Sequence, residues 1–389
     1  MLGRVELVLL LVPLALYGYA YVCYPALLIL YGRMRPKSPA LADPAEWPLI
    51  SIVVPAYNEG RVIRRTIESL LALEYPPDRR QILVISDASS DGTDDIVREF
   101  SAAGVELLPL PKRSGKTAAE NAALPLLRGS IVVNTDATIR ILPSSIKAMV
   151  RVFQDPRIGV ASGRDVSVGD LADAARLGES GYVGYEMWVR SLETRVGSIV
   201  GASGCFYAIR RTLHASLVPA ALSRDFASAL TAHEHGLRAV SVDEAICLVP
   251  RATSLRREYT RKIRTMARGL ETLWYKRHLL NPFRHGLFAW MLASHKLARW
   301  LIFLAVPPAT VALVLLSGDS LAAAGILGLV VVGLILGLVA LRAPEGTRLP
   351  KLLRLCGFVL ATHVAGFLAW IQALRGELNP IWEPTRRSV

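Results

Sequence analysis

The sequence predicts an α/β domain with a mostly parallel, doubly wound sheet, tied to about four membrane-spanning helices and to amphipathic helices at the membrane surface. Three observations carry this. Strand-like and helix-like patterns alternate from residue 49 to residue 154, the mark of repeated β-α units. Apolar runs long enough to cross a bilayer lie at the two ends of the chain and not between them. Three strand-like runs end in acids: LISIVVP leads to Glu59, QILVIS to Asp87 and then Asp91, and IVVNTDAT holds Asp136. In an open parallel sheet the carboxyl ends of the strands form the ligand edge. Acids on three such ends suit a cationic ligand, or a nucleotide held with a metal.

In order, Val5 to Leu30 is apolar apart from Glu6, and Arg33, Arg35 and Lys37 follow it. The positive charge after the span and the lack of an A-x-A-like site favour a retained membrane helix over a signal peptide. Residues 33–47 form a Pro- and Ala-rich linker. Strands are expected at 49–54, 82–86, 105–108 and 131–135, and helices at 60–73, 93–102, 116–128 and 143–154, with Pro125 kinking or ending the third helix. Residues 181–197 read as an amphipathic helix, GASGCFYAIRR as a glycine turn into a short strand, 225–235 as a helix, and LRAVSV and AICLVP as two strands. The domain is expected to span 48–253.

Residues 254–299 follow as basic and amphipathic interfacial helices, among them Leu287 to Arg299. Three spans are expected in 300–376, at 301–318, 320–341 and 355–374, the first kinked by Pro307 and Pro308; residues 377–389 form a tail. Arg342, Arg348, Lys351 and Arg354 sit between the last two spans, so the positive-inside rule puts that loop and the sheet domain in the cytoplasm. Arg375, Arg386 and Arg387 in the tail run against that rule.

Of the 389 residues 52% are hydrophobic, and the net charge of +13 asks for an anionic partner. Many of the basic residues flank the apolar spans or cluster from Arg256 to Arg268. This favours membrane lipid and phosphate over nucleic acid. The four cysteines form no CxxC pair, which speaks against a zinc site or disulfide framework and for small buried side chains.

Several residues can carry chemistry. Lys116 follows Gly115 at a helix start, where free N–H groups and the helix dipole help hold phosphate. Arg257, Arg261, Arg264 and Arg268 share one helical face, suited to anionic lipid or to a leaving diphosphate. Asp225 reads as a helix N-cap or as a base that takes a proton from an attacking hydroxyl. His233 and His235 diverge on a helix and make a poor metal pair. His363 lies inside a span, with no role assigned by its neighbours.

The series VVPAYNEG, SDASSDGTDD, KRSGKTAAEN, NTDAT, SGCFYAIRR, SRDF and RKIRT resembles, in order and spacing, the motifs of family 2 glycosyltransferases over roughly residues 48–300. The resemblance implies a GT-A fold, a Rossmann-like nucleotide-binding sheet with an acceptor half. The helix layout and HKLARW are similar to membrane-bound synthases of chitin, hyaluronan and poly-N-acetylglucosamine. By that resemblance Pro55, Tyr57 and Glu59 line the nucleotide pocket and Asp87 contacts base or ribose. Asp136 is the first acid of a metal-binding D-x-D, for Mg2+ or Mn2+. Ser203 and Gly204 face donor sugar and acceptor, Asp225 is the general base, and Arg261 and Arg264 stand at the Gln and Arg of Q-x-x-R-W. With Lys116 these arginines would face the diphosphate of a nucleotide-sugar, with UDP the expected nucleotide.

Four departures qualify it. Thr138 replaces the second acid of D-x-D, Arg224 replaces the acid before Asp225, Arg261 replaces the Gln of Q-x-x-R-W, and Thr265 replaces its Trp. The last favours a single transfer to a lipid-linked or oligosaccharide acceptor, at the membrane and in one copy or an oligomer. A processive polysaccharide synthase and a catalytically silent membrane scaffold are the rival expectations.

Overall fold

The structure, a computed structural model, describes residues 2–36, 41–168, 176–215, 218–250, 255–344, 347 and 349–377. Its centre is a sheet of eight strands: β1 (Ile50–Ala56), β2 (Arg80–Ser86), β3 (Val105–Pro109), β4 (Ile131–Thr135), β5 (Arg140–Ile141), β6 (Ile158–Val168), β7 (Phe206–Arg210) and β8 (Arg238–Pro250). The spatial order is β3-β2-β1-β4-β7-β6-β8-β5. The first four strands pair in parallel, with Pro55 opposite Ile85 and Val53 opposite Asn134. β7 is antiparallel to both β4 and β6, β8 runs parallel to β6, and β5 is antiparallel to β8.

β1 is buried along its whole length, as a parallel strand covered on both faces must be. Alternate residues point to opposite faces. Ile50, Ile52 and Val54 pack under α3 (Ile63–Leu71), α4 (Thr93–Arg98) and α6 (Ser145–Arg151). Val53, Leu83 and Val132 pack under α5 (Lys116–Ala123), α8 (Arg211–His214) and α9 (Arg224–Glu234). α5 stops at Ala123, and Pro125 sits in the 3-10 turn that follows.

A third core joins this domain to the apolar helices. α2 (Tyr24–Arg33) gives it Tyr24 and Leu28. α7 (Arg176–Val196) gives Val189, Leu192 and Val196, and α9 gives Phe226 and Leu230. α10 (Leu255–Tyr275) gives Leu273, and α11 (Pro282–Leu292) gives Phe288, Met291 and Leu292.

Among the described residues four helical runs are long and apolar enough to cross a membrane: Arg4–Arg33, Pro282–Leu316, Leu321–Arg342 and Lys351–Arg375. The first joins α1 (Leu2–Gly18) to α2 through a π turn, and the second joins α11 to α12 (Ala298–Leu316) through a π turn at Ala293–Leu297. The last two are α13 (Leu321–Arg342) and α14 (Lys351–Arg375). Tyr17 and His363 tie α1 to α14 by a 2.5 Å hydrogen bond, which gives His363 a packing partner.

The structure differs from the sequence reading in four places. LRAVSV and AICLVP are one strand, β8, because Asp243 and Glu244 stay within the extended run; nothing in the pattern pointed to β6. Leu287 to Arg299 continues into α12 instead of stopping before it. Cys23 is exposed while Cys247 is buried, and no disulfide joins the cysteines among the described residues.

Candidate active site

The loops after β1 and β2 are knitted together. Asn58 N–H donates to Ser89 Oγ (3.1 Å), Ser90 N–H to Asn58 Oδ1 (2.8 Å), Glu59 N–H to Thr93 Oγ1 (2.9 Å) and Gly60 N–H to Asp91 Oδ2 (2.9 Å). Asn58 and Ala88 hold positive φ, 52° and 59°; among the described residues they are the non-glycine positions that do. Both lie at the carboxyl edge of the sheet, and such strain gathers at functional sites. Pro55 and Glu59 are buried, and Tyr57 lies under the Arg113 guanidinium, 3.9 Å from its ring centre.

Asp87 faces inward. Its carboxylate accepts the N–H groups of Ser114 (2.7 Å) and Gly115 (2.8 Å). Gly115 has φ +89°, which favours glycine, and it starts α5 so that Lys116 follows at once. Asp87 therefore sets the position of the loop that presents Lys116.

Lys116 is the hub. Its Nζ lies 2.5 Å from Asp136 Oδ1 and donates to the Gly204 carbonyl at 3.1 Å. The two partners are each about a fifth exposed, at 21% and 20% of their side chains. Burial opposes the Lys116 charge, but Asp136, Glu120 and Asp225 outweigh it and hold its pKa above the ordinary value. Gly204 serves Asp225 as well: a Cβ there would stand 3.0 Å from Asp225 Oδ2. Asp225 lies in the first turn of α9, and the Ser223 hydroxyl donates to its Oδ1 at 2.7 Å. Lys116, Asp136, Gly204 and Asp225 thus meet where four chain segments converge.

Ser203 is buried, and its hydroxyl lies 2.6 Å from Asp165 Oδ1. Burial pushes the Asp165 carboxyl up, against the pull of Arg190. Arg224, which replaces an acid of the motif, is a buried cation facing Glu120 of α5 at 3.2 Å and His214 Nδ1 at 2.8 Å. Burial also pushes Glu120 up, despite Lys116 and Arg224. His214 is pushed down to about 3, first by burial and then by Arg224.

On α10, Arg268 donates to Thr117 Oγ1 (2.8 Å) and to the carbonyls of Ala221 (3.2 Å) and Leu222 (2.5 Å), which clamps the loop before Asp225. Burial lowers its pKa while Asp225 and Glu120 act to raise it. Arg264 and Arg261 are half-buried on the same helical face, one and two turns earlier; the side chain of Arg257 lies outside the described residues. His233 stacks on Phe288 at 3.8 Å.

Asp165 and Glu120 were not singled out as site residues. Asp165 lies in the unforeseen strand β6. The i, i+4 spacing of Lys116 and Glu120 was the one available signal for Glu120.

Among the described residues no group of three or more His, Cys, Asp or Glu side chains stands ready for a metal. Asp136 alone, with Oδ1 on Lys116, fits the magnesium mode in which one carboxylate joins substrate phosphates and water, and does not fit an all-protein cage.

Residues 51–217 match the family model described as Glycosyl transferase family 2. A beta-monoglucosyldiacylglycerol synthase of Trichormus variabilis is 30% identical over 169 residues, 42% of this chain and 36% of that protein. An N-acetylglucosaminyltransferase of Rhizobium sp. is 27% identical over 220 residues, 51% of this chain and 47% of that protein. The chain thus spans half or less of the length of these relatives. The mannosyltransferase PcManGT of Pyrobaculum calidifontis, solved with GDP-Man and Mn2+, superposes with a TM-score of 0.73 at 23% identity, covering 97% of this chain and 100% of that one. The shared GT-A fold extends over nearly the whole chain, and residues 51–217, the greater part of the sheet domain, are similar to glycosyltransferase family 2.

Proposed function

We propose that the protein transfers a sugar from a nucleotide-sugar, with UDP the expected nucleotide, to a lipid-linked or oligosaccharide acceptor at the membrane, with inversion at the anomeric carbon. The observation that carries this is the meeting of Asp225 with the Lys116–Asp136 pair across Gly204. A carboxylate able to take a proton faces a lysine able to help hold a diphosphate, and one glycine separates them. The glucosyldiacylglycerol synthase and N-acetylglucosaminyltransferase names of the relatives agree with such a reaction. The mannosyltransferase neighbour agrees with a nucleotide-sugar and a divalent metal on this fold.

In this reading Asp225 takes the acceptor hydroxyl proton, and the oxygen attacks the anomeric carbon from the face opposite the diphosphate. Positive charge builds on the sugar ring as the bond to the diphosphate breaks. Lys116, Arg261 and Arg264 stabilise the departing charge. Asp136 would hold Mg2+ or Mn2+, which supplies further neutralisation of the diphosphate when bound. Pro55, Tyr57, Glu59 and the Asp87-braced loop frame the nucleotide. Ser203 and Gly204 shape the floor between sugar and acceptor. The basic 342–354 loop supports a domain on the cytoplasmic side of the cytoplasmic membrane.

The test is nucleoside diphosphate release from a panel of nucleotide sugars by the full chain, with and without chelator. Release with one donor, reduced by chelator, is expected. Absence of release with every donor and acceptor would favour the silent scaffold.

A further inference from the structure

The joint between the domain and the membrane helices holds more buried cationic donors than acceptors to meet them. Glu186 spends Oε1 on Arg299 and Oε2 on His295 Nε2 at 2.9 Å. Glu193 spends Oε1 on His295 Nδ1 (2.5 Å) and the Tyr24 hydroxyl (2.6 Å), and Oε2 on Val200 N–H (3.3 Å). Asp165, the next acid toward the sheet, takes the Ser203 hydroxyl and the Cys247 thiol.

Two cations are left over. Arg190 is 9% exposed; its Nη2 donates to the Ala202 carbonyl at 3.3 Å, while Nε and Nη1 have no hydrogen-bond partner among the described residues. Lys296 interacts with the charges of Glu186, Arg190, Arg299 and Glu193, yet among the described residues its ammonium meets the Phe226 ring, at 5.6 Å, and not a carboxylate. Its Nζ also lies 3.6 Å from where a Cβ on Gly201 would stand. The two cations therefore flank Gly201 to Ser203, the turn that leads into Gly204, and Phe226 is the neighbour of Asp225. Lys296 sits in the π turn at Ala293–Leu297, a kind of interruption that recurs at functional sites.

Withdrawing a cation from water without an anion hydrogen-bonded to it is costly, and the acids near these two are engaged elsewhere. The cost is recovered when a ligand brings the anion, and an arginine fork beside an ammonium suits a phosphate group. We infer that Lys296 and Arg190 bind the phosphate of a lipid acceptor and so hold its reactive end beside Asp225. This rests on the transferase reading above and narrows its acceptor to a phosphate-bearing lipid. The site stands where a span leaves the domain, so a lipid anchored in the bilayer meets it without leaving the membrane.

The test presents the full chain in detergent micelles with phosphatidic acid and with diacylglycerol of the same acyl chains, and counts retained lipid by native mass spectrometry. Wild type is expected to prefer phosphatidic acid by about tenfold or more, the worth of a charge-assisted hydrogen bond. Lys296→Gln should lose the preference and Lys296→Arg keep it, both with the wild-type unfolding temperature. Equal retention of the two lipids by wild type, or an undiminished preference in Lys296→Gln, overturns the inference. Phosphatidic acid should stay bound against excess inorganic phosphate; full displacement would make free phosphate the ligand and remove the lipid acceptor. Nucleoside diphosphate release on the same sample separates the two readings. Release without lipid preference sinks the acceptor site alone, and preference without release sinks the transferase reading.

Discussion

Two buried charge clusters sit on either side of Gly201 to Gly204, and they are built on opposite principles. At the membrane joint, burial acts to raise Glu186 and Glu193, but His295, with Arg299 on Glu186 and Tyr24 on Glu193, more than reverses it and both carboxyls are held below their ordinary range. At the sheet edge the buried carboxyls Glu120 and Asp165 are pushed up, because burial outweighs the cations near them. At the joint the acids are saturated: Glu186 and Glu193 have every oxygen engaged and lock the helices to the domain. The edge is left under-compensated, with Lys116 and Asp136 each about a fifth exposed, ready to exchange partners with a ligand. Saturation serves assembly, and incomplete pairing serves chemistry.

The comparison can be broken most forcefully at the joint. Glu186→Ala strands the buried Arg299 and leaves His295 with Glu193 alone, and removing one partner of such a group typically costs about 3–5 kcal/mol. Thermal unfolding in detergent should show a large drop, with donor binding lost in step. The matching change at the edge, Asp136→Asn, should leave the unfolding temperature near wild type while transfer falls by roughly 10²-fold or more, the scale of losing one electrostatic contact to the transition state. Similar effects of the two changes on stability would erase the distinction.

Acid titration sharpens it. A carboxyl with a depressed folded pKa gives stability that is present above its unfolded value, here 4.5 for Glu186, and is lost as pH falls through the folded value. The joint should therefore weaken only below pH 4.5, and Glu186→Gln should flatten that acid limb. Glu120 has the opposite sign. Its raised pKa means that ionisation costs stability as pH rises above 4.5, so Glu120→Gln, which also strands Arg224, should lose less stability relative to wild type at pH 8 than at pH 5. A larger relative loss at pH 8 would show that Glu120 is compensated after all. The smallest effect is expected at Ala88. Relieving its left-handed backbone with glycine should stabilise the chain by about 1 kcal/mol, read as a rise in unfolding temperature.

The first half of the sheet was legible because its signals are local. An apolar run ending in Glu59, Asp87 or Asp136 shows a strand and the acid at its end in one short stretch, and Gly115 marks the turn into α5. Pro125 marks its end. The second half was not, since its parts are distant in sequence. Asp165 lies on a strand that no alternation announced, and it meets Ser203 only through the pairing of β6 with β7. Arg224 looked like a lost acid, and its reason, Glu120, lies 104 positions away on α5. Asp225 looked like an N-cap, yet Ser223 holds that position and Asp225 falls in the turn beyond it. The joint was hidden for the same cause: HKLARW was visible as a motif, but Glu186 and Glu193 sit in an ordinary-looking amphipathic helix.

The central claim is that Asp225 is the base at an edge whose other charges hold the donor. Asp225→Asn keeps the shape and the Ser223 contact while removing the proton acceptor. Calorimetric donor binding and sugar transfer, measured on the same preparation, test it most directly. The account predicts donor affinity within about twofold of wild type, since Asp225 is not asked to hold the nucleotide, together with transfer reduced to background. Transfer at the wild-type rate would contradict it.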